Sequence, residues 1–141
     1  MRGSRWIMAT VAAVMLVLAG CASSGDKMSQ LEEMQYAYSA AIRWNNFEGA
    51  WNVVDPKYRE KHPMTELEFE RYKQIQVAGY RDLGAQLSKD GQQARHEIQI
   101  SVINKHNMSE RSMRYTEMWR FDPAAKTWWL TSGLPDFWAG M

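Results

Sequence analysis

Apolar residues recur at helical spacing in the first half of this chain and at strand spacing in the second. Leu31, Met34, Tyr38, Ala41 and Ile42 fall three and four apart, which predicts one apolar helix stripe running to about Trp44. Ser29 with Glu32 makes a capping-box pattern at its start: the hydroxyl takes an amide and the carboxylate reaches back. Asn45 with Glu48 repeats the pattern and predicts a short second helix with Phe47, Ala50, Trp51 and Val54 inward, ended by Asp55-Pro56. Thr65 with Glu68 predicts a third, carrying Leu67, Tyr72 and Ile75 to about Gln76, with Met64 and Phe69 placed as a hydrophobic staple. The polar stretch Tyr58–Pro63 reads as a loop.

From Val77 the period changes to alternation. Val77–Leu87 predicts a strand in which Gly79 and Gly84 mark bends or bulges. Ser88-Lys89-Asp90-Gly91 is a turn. Ala94, His96, Ile98, Ile100 and Val102 then share one face of a second strand, and Arg95, Glu97, Gln99 and Ser101 share the other. After a polar connection over Asn104–Glu110, Met113, Tyr115, Glu117, Trp119 and Phe121 line a face of a third strand. Asp122-Pro123-Ala124-Ala125 turns into a last strand, Lys126–Ser132, stopped by Gly133-Leu134-Pro135. Phe137 and Trp138 are expected to fold back onto the sheet. Helices followed by strands, not alternating with them, predict an α+β fold: three N-terminal helices packed on a curved four-stranded antiparallel sheet.

The first residues belong to a different pattern. Arg2 and Arg5 precede an uncharged apolar run from Trp6 to Leu18, closed by Ala19 and Gly20. A basic start, a short apolar run and small residues at a cut site mark an export signal. The run falls short of the roughly 20 apolar residues a spanning helix needs. The expected organisation is therefore a signal segment at 1–20, an attachment cysteine and flexible tether at 21–27, and one domain at 28–141. The net charge of +1 counts Arg2 and Arg5, so the remainder is close to neutral. With no Lys/Arg block to displace counterions, nucleic acid is not an expected partner. Cys21 is the single cysteine, so no internal disulfide can form and the core must hold the fold, helped by seven Trp, six Tyr and four Phe.

Leu18-Ala19-Gly20-Cys21 resembles the lipobox of bacterial lipoproteins. The resemblance implies a diacylglyceryl thioether on Cys21, cleavage before it, and an N-acyl chain such as palmitate on the freed amine. Several chains, each adding about 0.8 kcal/mol per buried CH2, would hold the protein on a membrane. Ala22 in place of Asp implies the outer membrane, at its periplasmic face, over the inner one. The domain itself resembles the nuclear-transport-factor and ketosteroid-isomerase-like superfamily, a cystatin-like α+β roll. The resemblance rests on element order and on the aromatic hairpin running from Tyr115 through Trp119 to Trp128-Trp129. It implies a conical pocket between helices and sheet.

His96 and Glu117 are the residues in which such a pocket would find chemistry. Both fall on apolar faces of neighbouring strands, so their side chains point the same way and could serve in general acid–base catalysis. Tyr115 and Asp82 have suitable chemistry without a motif that assigns them roles. His62, His96 and His106 show no metal-ligand spacing, and neither a nucleophile elbow nor a phosphate loop occurs. Trp128 and Trp129, adjacent on a strand, must face opposite sides. Together with Trp138 they are the candidate interaction surface. The first-ranked function is a membrane-anchored envelope protein with a non-enzymatic binding or interaction domain, without cofactor apart from its lipid. Homodimerisation through the sheet face, common in the superfamily it resembles, is the preferred partnership, ahead of a small ligand or an envelope protein. An enzyme using His96 and Glu117 ranks second, and a structural accessory subunit of an envelope complex third.

Overall fold

A computed structural model describes residues 25–139. The signal segment, Cys21 and the residues of the expected lipobox lie outside them. Within them, helix α1 covers 25–43, followed by α2 (Phe47–Trp51), α3 (Pro56–Lys61) and α4 (Glu66–Tyr72). Four strands follow: β1 (Ile75–Leu87), β2 (Gln93–Asn104), β3 (Glu110–Asp122) and β4 (Thr127–Leu130). They form one antiparallel sheet in the order β1-β2-β3-β4. The α+β class and the antiparallel sheet are as expected, but the described residues hold four helices, not three.

The extra helix comes from Asp55-Pro56, which ends α2 and also starts α3. Asp55 is the N-cap, accepting the Lys57 amide at 2.8 Å, and Pro56 sits at the first helical position, where its missing N–H costs nothing. Helix α4 starts as expected, with the Thr65–Glu68 capping box closed in both directions. Helix α1 does not start at Ser29. It is already helical at residue 25, inside the stretch expected to be a flexible tether, and Lys27 is held in place there. Its carbonyl accepts the Trp128 indole N–H at 2.9 Å, and its ammonium lies 5.1 Å from the centre of the Phe121 ring. Asn46, not Asn45, caps α2. Asn45 takes a left-handed φ of 57°, which asparagine tolerates, and ties α1 to β1. Its Oδ1 accepts the Val77 amide at 3.0 Å, and its amide nitrogen donates to the Ile75 carbonyl.

Alternation along the strands decides which side faces the helices. Ile98, Ile100, Trp119, Trp128 and Leu130 are buried on the inner face against Tyr38, Ile42, Ala50 and Val54. Each large apolar side chain so enclosed contributes about 1.5–3 kcal/mol. The outer face is a polar ladder: Arg95 bonds Glu97, Thr116 donates to the same carboxylate, Arg81 reaches Gln99, and Ser101 meets Ser112. Beyond β4, Val54 bridges Leu130 in parallel and covers part of that edge. Phe137 and Trp138 do not fold onto the sheet surface alone. They pack against the helices, Phe137 beside Phe47 and Tyr72 and Trp138 against Tyr72, while the Tyr72 hydroxyl donates to the Pro135 carbonyl. No helix among the described residues is long and apolar enough to cross a membrane.

Candidate functional site

Glu117 is the one fully buried acid of the inner face, with no exposed surface. The β3 alternation that buries Tyr115 and Trp119 on either side leaves its carboxylate no way out. His96 lies directly opposite in the β2–β3 register, its Nδ1 3.3 Å from Oε2. Trp119 Nε1–H donates to the same oxygen at 3.0 Å, and the Tyr80 hydroxyl of β1 donates to Oε1. On the far side of the imidazole, His96 Nε2 is 2.9 Å from Asp82 Oδ2. A continuous chain of polar groups thus runs from a buried carboxyl to a solvent-exposed one. Two irregularities in β1, at Val77/Gly79 and Asp82/Gly84, set its members on the inner face. Gly84 has a φ of 151° and its amide donates to Asp82 Oδ1, which holds that carboxylate toward His96.

Burial pushes the Glu117 carboxyl up to about 8, against the opposing pull of the Trp119 N–H. The hydrogen bond from His96 is the main cause that lowers Asp82. The two carboxyls therefore separate into one that keeps its proton at neutral pH and one that does not. With Glu117 protonated, its hydroxyl can donate to His96 Nδ1 while Nε2–H donates to Asp82, so every polar group in the chain is paired.

This arrangement can hold a proton and pass it outward, and packed side chains surround its buried end. Tyr38, Trp119, Trp128, Ile98 and Ile100 fill the interior where a conical pocket was expected. Five surface hollows of about 50–350 Å³ are lined by other residues, without His96, Glu117 or Tyr80 in their walls. Tyr115 is engaged elsewhere, with Tyr38 at 3.0 Å and the Gly133 carbonyl at 2.6 Å. No group of three His, Cys, Asp or Glu side chains among the described residues is placed to hold a metal ion. His62 stacks on Tyr58 and His106 sits in the turn after β2.

The aromatic candidates sort differently from expectation. Trp128 is fully buried and cannot belong to an interaction surface, because β4 turns it toward the core and Lys27 takes its N–H. Trp129 and Trp138 are half-buried, Trp138 beneath the Arg71 guanidinium at 4.1 Å. Among the described residues the strongly exposed aromatics are Tyr36 of α1 and Trp44 in the turn after it, at 74% and 84%. Sequence reasoning missed both, although they lie off the apolar stripe that buries Leu31, Tyr38 and Ile42. It also missed Tyr80 as a partner of Glu117.

No family model matches this chain, and no curated protein does. Among solved structures, it is similar to a SEC-C motif containing protein from Rhodopseudomonas palustris, with a TM-score of 0.57 and 16% identity over 80% of this chain and 88% of that one. A SEC-C motif containing protein from Psychrobacter arcticus gives a TM-score of 0.54 and 14% identity, over 79% of this chain and 62% of that one. These likenesses show the fold. They overturn the expected resemblance to the nuclear-transport-factor and ketosteroid-isomerase-like superfamily, and nothing in the comparisons supports a lipobox at Leu18–Cys21. Element order and an aromatic hairpin are shared by many α+β packings, and the pocket that the resemblance implied is filled with side chains.

Proposed function

We propose that this chain is a membrane-anchored cell-envelope protein whose α+β domain binds a partner or ligand and does not turn over a substrate. The observation that supports the non-enzymatic reading is the state of Glu117: its two oxygens are taken by Tyr80, Trp119 and His96 inside a filled core. A carboxyl so engaged fastens β1, β2 and β3 together, which is a structural use. Anchorage rests on the basic start, the apolar run and the small residues ahead of the lone Cys21, with the periplasmic face of the outer membrane as the favoured location. A homodimer through the sheet face would have to bury the polar ladder of Arg81, Arg95, Glu97 and Gln99, so a ligand or an envelope protein is the preferred partner.

Anchorage is tested by replacing Cys21→Ser in the full chain and following radiolabelled palmitate and membrane fractionation. The expected result is loss of label and release from the membrane. A mutant that stays on the membrane after alkaline wash would sink the proposal.

A further inference from the structure

The hollow between the short helices has the makings of a binding site of its own. It measures about 330 Å³, the lower end of what small-molecule sites occupy. Its wall holds Trp51 from α2, Tyr58 from α3, Tyr72 and Glu68 from α4, and His62 and Met64 from the connection between α3 and α4. Pro63 and Leu134 complete the lining, so aromatic rings, a thioether and one carboxylate share a single hollow. Glu68 is the only Asp or Glu in the lining, which contains no Lys or Arg.

The wall side chains pack on one another and on the backbone beside them. The Tyr58 ring lies against Gly133, where an added Cβ would come within 2.7 Å of the hydroxyl. Gly133 also needs its left-handed φ of 72°, so glycine is required there twice over. His62 stacks on Tyr58 with ring centres 4.3 Å apart, and Trp51 meets Tyr58 edge-on at 6.3 Å. Glu68 is held by the capping box: its Oε2 accepts both the amide and the hydroxyl of Thr65, bonds that also lower its pKa and keep it ionised. Arg71 of α4 lies over Trp138, and Lys73, the C-cap that follows α4, pairs with Glu70.

We propose that this hollow binds a small organic cation of the alkylammonium class, held by the half-buried Trp51 and Tyr58 rings over a floor formed by Tyr72, with Glu68 as the counter-charge. Aromatic rings carry negative charge on their faces and attract a weakly hydrated cation, and a carboxylate at the same site selects the positive ligand over a neutral one of equal shape. The inference rests on the reading of the domain as a binding module and gives it a ligand class. It differs from that reading in its test, because a silent titration overturns the cavity assignment and leaves the Cys21 experiment to decide anchorage.

The probe is choline, titrated into the full chain in detergent at low salt, with the Trp51 indole N–H followed by NMR. An uncharged choline isostere, 3,3-dimethylbutan-1-ol, and glucose serve as controls. Saturable shifts at Trp51 and not at Trp44 are expected, at least tenfold weaker for the isostere. Glu68→Gln keeps the capping box, which glutamine can close, and removes only the charge. It should weaken choline at least tenfold while leaving the fold intact by its unchanged spectrum elsewhere. No saturable shift up to about 50 mM choline overturns the proposal. So does equal binding of the isostere or glucose, or a Glu68→Gln variant that binds choline like the parent.

Discussion

Glu117 makes the folded chain hold a proton that the unfolded chain has given up. Its carboxyl lies near 8 when buried against an ordinary value of 4.5, so between those limits the folded state binds more protons. Stability then falls as pH rises, because the slope follows the proton count of the unfolded state minus that of the native one. The contribution is fully present below about pH 4.5 and is lost as pH rises through about 8. Asp82 has the opposite sign: its lowered value adds stability above the ordinary aspartate range, lost only in acid. The two windows do not overlap, so urea midpoints measured between about pH 5 and 8 should fall steadily, and Glu117→Gln should flatten that fall. A parent protein whose midpoint does not change across this range would mean that Glu117 is ionised and reached by water. The pair itself was legible in the sequence, since His96 and Glu117 stand on the apolar sides of two cleanly alternating strands. Tyr80 was not, and Asp82 stood out for its chemistry without a role, because two bulges in β1 break the alternation that would have assigned them a face.

At the level of elements, Asp55 joins α3, β3 and the end of β4. It caps α3, donates its own amide to the Leu130 carbonyl beside β4, and takes Arg120 of β3 on Oδ2 at 3.0 and 2.7 Å. The carboxylate is buried while Arg120 remains about one-third exposed, so solvent screens part of the pair. Asp55→Ala loses a cap and leaves the guanidinium without its partner, and about 2–4 kcal/mol of stability should go with it. Asp55→Asn keeps the cap and should cost less. Denaturant midpoints of both variants check the ranking, and equal losses would show that the cap contributes little. Helix α3 escaped the sequence reading for a physical reason: it buries no residue, so it has no apolar stripe to betray it. Its only signal was Asp-Pro, which serves equally as the stop of α2. The capping boxes divide in the same way. Thr65–Glu68 stands at a real start, whereas Ser29–Glu32 has the same spacing inside a helix already formed.

For the whole molecule, the order of strands follows from short turns. Ser88–Gly91 and Asp122–Ala125 leave antiparallel neighbours as the simplest outcome, and the observed sheet is that meander. Whether helices over such a sheet enclose a pocket depends on side-chain volume, and here Trp119 and Trp128 occupy the space. Where the domain begins also depends on a contact distant in sequence. Trp128 is fully buried, and its indole N–H finds its acceptor at Lys27, 101 residues away in the chain. A chain beginning at Met28, the boundary expected from the sequence, would lose that carbonyl and the ammonium over Phe121. An orphaned buried N–H costs about 1–3 kcal/mol, which for a domain of this size lowers the melting temperature by several degrees. Chains starting at Gly25 and at Met28 should therefore melt at different temperatures, the shorter one lower. Trp128→Phe, which removes the N–H, should narrow the gap between them. Identical melting of the two would return the boundary to residue 28 and make the Lys27 contact incidental.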